Sequence, residues 1–275
     1  MTPFAPGLYP DIDDHDYHAD PALSSTGARK ILFTSPAEFH YERAHGAAPK
    51  KEYDEGHAAH RYVLGKGSDI VVVDADSWRT NDAKAARDQA YAEGRVPLLP
   101  TQDEMARKMA DTVLSDPIAG PLFAEGEAEQ SGWWRDAETG AMLRIRPDWM
   151  TTIGTRLVIV DYKTSKDAGK RLFAKAAAAY GYYMQQPYYV DGVRALGLSD
   201  DPAFVFVTQC KQPPYVVTVT QLTPEDVTLG RDLNRAAIRL FAECETAGVW
   251  PTRNDRIHIT PLPMWIHYQG EEILS

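Results

Sequence analysis

Two cysteines, Cys210 and Cys244, in 275 residues are too few for an iron–sulfur cluster, a four-cysteine zinc site or a disulfide framework, and both are expected to be buried, inert thiols. No stretch approaches the roughly 18 consecutive apolar residues that a membrane-spanning helix needs. The first 20 residues lack a basic segment followed by an apolar one, so no signal peptide is expected and the cytoplasm is the expected compartment. Positive charge is also in deficit, with 29 Lys and Arg against 39 Asp and Glu for a net charge of −10. Affinity for nucleic acid comes from neutralising phosphates with Lys and Arg, so this balance, taken alone, argues against such a partner. It does not exclude one, because a metal site brings its own acids and a local channel of cations can bind DNA inside an acidic shell. At 44% hydrophobic and 25% charged residues, the composition is that of a globular chain with enough apolar material for one large core or two small ones.

The most informative stretch present is Leu157-Val158-Ile159-Val160-Asp161-Tyr162-Lys163, four aliphatic residues running into an acid, an aromatic and a base. Such a run predicts a buried strand. Side chains alternate across a strand, so Asp161 and Lys163 share one face and Tyr162 takes the other. Upstream, Arg144 to Met150 is a second strand candidate whose Pro147 suits an edge or an end. A hairpin through Thr151 to Thr155, turning at Gly154, would bring Asp148 near Asp161. Two carboxylates beside a lysine form a donor set for a hard cation such as Mg²⁺ or Mn²⁺. By itself the D-x-K sequence more often describes a strand-end salt bridge between Asp161 and Lys163.

Along the rest of the chain, residues 1–21 read as an extended, Pro- and Asp-rich arm and 22–275 as a single domain. Ser24 or Ser25 can cap a short helix carrying Arg29, and another follows Ser35-Pro36. A small-residue helix from Tyr53 is ended by Gly65 and places Gly56 one turn from His60, clearing space beside the imidazole. A strand is expected over 70–73, helices over 80–93 and 101–114, the latter opened by Thr101 to Glu104 as a capping box. Residues 127–135, 141–149 and 155–162 predict a three-stranded meander with Glu129 on its first strand. An Ala-rich helix over 168–179 precedes an aromatic helical stretch in which Gln185 and Tyr189 share a face. Two strands at 203–209 and 215–221 and a long helix from Thr223-Pro224 to about Ala247 come next, and the tail reads as a loop with aromatic anchors Trp250 and Trp265.

The ordered set Gly56-x-x-x-His60, Glu129, Arg146-Pro147-Asp148, Asp161-Tyr162-Lys163-Thr164 and Gln185-x-x-x-Tyr189 resembles the PD-(D/E)XK nuclease superfamily, within it the RecB-like exonucleases, and most of all the RecE (exonuclease VIII) family of phage recombination. The resemblance implies an α/β, restriction-endonuclease-like core with a central mixed sheet flanked by helices. It implies a Mg²⁺-dependent exonuclease (Mn²⁺ able to substitute) that degrades linear double-stranded DNA from its ends, 5′ to 3′, for homologous recombination. By the same resemblance Asp148, Asp161, Tyr162 and His60 would hold or orient metal, Lys163 would be the catalytic lysine and Glu129 an auxiliary acid. Gln185 and Tyr189 would position substrate, with Ser24, Arg29, Arg144 and Arg146 as candidates for binding a terminal 5′-phosphate. Implied partners are double-stranded DNA ends, a single-strand annealing protein and further copies of the chain in a ring. The competing expectations are a site-specific endonuclease of the same superfamily and a catalytically silent DNA-binding module.

Overall fold

A computed structural model of the chain describes residues 4–46, 54–166, 168–252, 257 and 259–275. Its centre is the predicted strand, β8 (Arg156–Ser165), ten residues long. To one side it pairs antiparallel with β7 (Trp149–Ile153), which pairs with the two-residue β4 (Glu127–Ala128). To the other it runs parallel to β9 (Ala203–Cys210), and antiparallel β10 (Val217–Thr220) closes that edge, giving a mixed five-stranded sheet in the order β10-β9-β8-β7-β4.

Helices cover both faces, and the alternation of β8 divides its residues between them. Val158, Val160 and Tyr162 join the core formed with α4 (Asp54–Leu64) and α6 (Pro100–Ser115), among Val63, Met109 and Val113. Ile159 faces the opposite core, with Ile31 from α2 (Ser25–Phe33), Val193 from α8 (Tyr182–Ala195), and Ile238 and Phe241 from α9 (Pro224–Ala247). Four apolar residues in a row are what a strand buried on both faces requires. The sheet with helices on both sides is the restriction-endonuclease-like α/β core that the resemblance implies.

Several expectations hold in detail. Ser24 caps α2 by accepting from the Gly27 amide at 3.1 Å, and Ser35 caps α3 (Pro36–His45) in the same way. Gly65 follows α4 with φ +72, a conformation in which a Cβ would be strained. Gly154, φ +64, makes the β7–β8 turn. Thr80 caps α5 (Asn81–Ala92), which leads into β3 (Val96–Leu98), a strand paired in parallel with β2 (Ile70–Val72).

Others are corrected. The predicted meander is split between two sheets: Arg146-Pro147-Asp148 interrupts the second strand, because Pro147 cannot donate to a ladder. Before the break, β6 (Met142–Ile145) pairs with β5 (Ser131–Arg135) in a three-stranded sheet; after it, β7 enters the main sheet. The third member of the small sheet is β1 (Gly7–Tyr9), which pairs with β5, so the arm expected over 1–21 is docked rather than simply extended. Helix α1 (Asp14–Ala19) follows β1, and Tyr17, Phe4 and Tyr9 gather around the fully buried Trp133, whose indole donates to Asp20 at 3.0 Å. Helix α6 begins at Pro100, before the proposed box, and Gln102 Oε1 accepts from the Leu99 amide at 2.9 Å. Gly181, φ +74, separates α7 (Lys170–Tyr180) from α8. The tail is not all loop: Met264–Leu274 forms α10, with Met264, Trp265 and Tyr268 exposed, so among the described residues Trp265 packs into no core, whereas Trp250 stacks on His40 with ring centroids 4.6 Å apart. Cys244 is buried, but Cys210 is half-buried and its Sγ donates to the Lys166 carbonyl. Among the described residues no helix is long and apolar enough to cross a membrane.

Candidate active site

The site lies where β8 passes the start of β7. Pairing of Trp149 with Val160 sets Asp148, at the bend preceding β7, across from the end of the apolar run. Its Oδ2 accepts from the Tyr162 backbone amide at 2.9 Å, so the break at Pro147 swings the carboxylate onto β8 rather than past it. Asp161 is 1% exposed, and on its face of β8 Lys163 Nζ sits 2.7 Å from Oδ2 while Gln185 Nε2, from α8, donates to Oδ1 at 2.6 Å. From the opposite layer, α4 brings His60 to the same backbone: Nε2 is 2.7 Å from the Tyr162 carbonyl and 3.9 Å from Asp148 Oδ2. A carbonyl only accepts, so in this arrangement Nε2 carries the proton and the imidazole orients the strand. Gly56 permits the approach of α4, since a Cβ there would lie 3.1 Å from Thr164 Oγ1.

Burial pushes the Asp161 carboxyl above the usual carboxylate range, the Lys163 ammonium pulls it back, and Asp148 adds to the push. For Lys163, burial works against the charge, but Asp161 and Asp148 outweigh it and hold the amine above its ordinary value. The lysine is therefore an ammonium held between two acids. Above it lies the Tyr182 ring, its centroid 5.3 Å from Nζ, and that ring stacks on Phe206. Tyr182 is absent from the sequence-based set. The aromatic crowding over 180–189 reads as core packing, and only the end of β8 beneath α8 distinguishes this ring from its neighbours.

Glu129 lies between β4 and β5, not on a strand, with φ +51, a left-handed conformation that costs a non-glycine residue about 1 kcal/mol or more. Burial raises its pKa, with Arg146 opposing and Asp148 adding to the rise, so it belongs to the same electrostatic neighbourhood. Tyr189 OH donates to the Arg146 carbonyl at 3.2 Å, holding the Arg-Pro-Asp turn. Tyr162 offers the site only its backbone, because its ring is buried and its hydroxyl donates to Gln209 at 2.5 Å.

The four candidates for phosphate binding are placed differently from expectation. Arg144 is buried and bound to the Asp20 carbonyl; Arg146 donates to Ser131 Oγ at 2.8 Å and to the Ile12 carbonyl at 2.9 Å. Both guanidinium groups pack on the Tyr17 ring and hold the N-terminal segment, so neither is a free anion binder. Ser24 is occupied as a helix cap. Arg29 runs across Gly181, where a Cβ would meet its Cδ at 2.5 Å, and donates to the Tyr180 carbonyl.

The donors fit a hard divalent cation. Asp161 Oδ2 is buried and, although close to Lys163 Nζ, makes no aligned hydrogen bond, which leaves lone-pair capacity beside Asp148 and the Tyr162 carbonyl. Among the described residues, a tighter group of ligand-type side chains, the exposed Asp13 and His15 and the half-buried Asp16, lies around the start of α1, where Asp13 already serves as its cap.

No curated protein matches the chain in sequence. Among solved structures, one from Eubacterium rectale named "Putative exonuclease" superposes with a TM-score of 0.60 at 13% identity, covering 94% of this chain and 99% of the other, which shows a shared fold. Two looser matches, SSO0001 (TM-score 0.28, 15% identity, 74% of this chain and 84% of the other) and protein VC1899 from Vibrio cholerae (TM-score 0.25, 12% identity, 88% and 58%), carry no further argument. The model of one family, described as a PDDEXK-like domain of unknown function (DUF3799), matches residues 30–261, and the chain belongs to that family.

Proposed function

We propose that the chain is a metal-dependent deoxyribonuclease that degrades linear double-stranded DNA from its ends, 5′ to 3′, leaving single strands for homologous recombination in the manner of the RecE-like exonucleases. The observation that carries this reading is the junction at Tyr162: its amide is held by Asp148 at 2.9 Å, its carbonyl meets His60, and its neighbours are the buried Asp161 and Lys163. An ordinary strand-end ion pair accounts for the last two residues but not for a second acid and an imidazole brought from two other elements to the same peptide.

In this reading Asp148 and Asp161 hold Mg²⁺ or Mn²⁺, with the Tyr162 carbonyl as a further oxygen donor. The bound cation supplies Lewis acidity, giving a nucleophile at neutral pH and offsetting charge on the phosphoryl oxygens. Lys163, an ammonium wedged beside Asp161, stabilises negative charge that develops as the phosphodiester is attacked, or orients the attacking water. Gln185 fixes the Asp161 carboxylate through Oδ1, and Tyr189 fixes the turn that carries Asp148. His60 orients the metal-facing peptide, and Glu129 contributes auxiliary negative charge. The reading carries with it DNA ends as substrate, a single-strand annealing protein as partner and assembly into a ring. It is tested by incubating end-labelled linear and covalently closed duplex DNA with Mg²⁺ and with EDTA. Loss of linear DNA alone, abolished by EDTA, is the expected result; equal cutting of closed circles favours the endonuclease reading, and binding without cleavage the silent module.

A further inference from the structure

From Lys163 to Val190 the sequence carries five bases, Lys163, Lys166, Lys170, Arg171 and Lys175, and one acid, Asp167, a net +4 in a chain of net −10. Lys166, Lys170, Arg171 and Lys175 are exposed, and Lys211, just past the end of β9, is half-buried beside them, its amide donating to the Ser165 carbonyl. Among the described residues none of these five cations has a carboxylate partner. Many surface cations elsewhere are matched, among them Lys66 with Asp11, Lys108 with Glu104, Arg156 with Asp201 and Arg239 with Glu138, while unmatched ones such as Arg79 and Lys84 are not gathered on one helix face beside the site.

The local physics of α7 disfavours this placement. Lys170 and Arg171 stand in the first turn, at the positive end of the helix dipole, and among the described residues that turn carries no acid. Arg171 and Lys175, one turn apart, repel each other. The apolar side of the helix, Phe173 and Ala177, is already buried in the core, which leaves the cationic side with no packing duty. Charges held against helix electrostatics, with no carboxylate partner among the described residues, are a surface poised for an external polyanion. An anionic membrane fits poorly, because Phe173 and Ala177 are committed to the core and the exposed Leu172 and Tyr180, about two turns apart, make no continuous apolar face to insert. The patch is continuous with the site: Lys166 follows Lys163 by three residues, roughly 10 Å along the strand direction. Lys211 Nζ reaches the Gly56 side of α4, 3.9 Å from where a Cβ would stand.

We propose that the outer face of α7, with Lys166 and Lys211 at the strand ends, is the surface on which the DNA phosphate backbone lies as it enters the site. The inference rests on the nuclease reading and adds the path of the substrate to it. The test is fluorescence anisotropy of a 5′-phosphorylated linear duplex, with Ca²⁺ in place of Mg²⁺, across a salt titration. A K170Q/R171Q/K175Q variant should bind at least tenfold more weakly at low salt, and its slope of log affinity against log salt should be shallower by about 2.7, three contacts at about 0.9 each. Single Lys170→Gln and Lys175→Gln changes should each lower the slope by about 0.9, which keeps the test decisive should the triple variant fold poorly. An R79Q/K84Q control, on the exposed surface at the start of α5, should leave the slope unchanged. If wild type hydrolyses linear DNA in Mg²⁺ while the α7 variants keep the wild-type slope, the α7 surface is overturned and the nuclease reading stands. If wild type neither binds nor hydrolyses DNA, both fall.

Discussion

Asp148 and Tyr162 are joined by a side chain-to-backbone hydrogen bond of 2.9 Å, and through it an acid from the start of one strand becomes part of the middle of the next. The same peptide meets His60 on its carbonyl side, so three elements converge on one residue whose own side chain takes no part. A carboxamide can keep the hydrogen bond while losing the charge. Asp148→Asn should therefore fold with little change in melting temperature yet lose Mn²⁺ binding in a calorimetric titration, and Asp161→Asn should lose it as well. Wild-type Mn²⁺ affinity in the double variant would remove the metal site.

The half-buried Lys163 is paired with the fully buried Asp161, and removing the lysine leaves that carboxylate uncompensated at a cost of about 3 kcal/mol. Lys163→Met should lower stability by that order in urea unfolding and abolish cleavage. Adding Asp161→Asn should recover most of the stability and none of the activity. A single variant as stable as wild type would show that the pair contributes nothing to the fold.

The sequence reveals β8 and its division of faces because periodicity and burial act on the same residues. Asp161, Lys163 and the Gly56–His60 spacing are legible for the same reason. The break at Pro147 is less so: proline announces that a ladder bond is missing, but not that the chain changes sheet there, which depends on where β1 and β5 dock. Arg144 and Arg146 look available in the sequence because most of their partners, Asp20 and the backbone of residues 12–20, lie more than a hundred positions away; only Ser131, which Arg146 also meets, is near in the chain. Tyr182 is hidden among its tyrosine neighbours, and α10 is masked by Pro261 and Pro263, which signal a loop although Pro263 only precedes the helix.

His60 holds a carbonyl rather than packing as a core residue, so its loss should act on the site more than on the fold. His60→Ala is expected to reduce Mg²⁺-supported cleavage about ten- to a hundredfold, as loss of an orienting partner does elsewhere, with partial recovery in Mn²⁺. The measurement is initial rate against metal concentration for both ions. Wild-type rates at limiting Mg²⁺ would make the imidazole a structural residue only.

Away from the site, Arg235 of α9 grips the turn between β5 and β6, donating to Asp136 Oδ2 at 3.0 Å and to Glu138 at 2.8 Å, while the Thr139 amide and hydroxyl also donate to Asp136. Burial alone would raise the Asp136 pKa, but these donors outweigh it and bring the carboxyl down to about 2. A carboxyl lowered on folding binds its proton more readily in the unfolded chain. Its contribution is complete above the unfolded value near 3.8 and is lost as pH falls through about 2. After allowance for solvent screening of the partly exposed guanidinium, the contribution is about 1–2 kcal/mol. Arg235→Met should therefore unfold at lower urea than wild type at pH 7, and the gap between the two should shrink as pH is lowered from about 4 towards 2. A gap independent of pH over that range would mean that the arginine stabilises α9 by packing of its stem rather than through the Asp136 carboxylate.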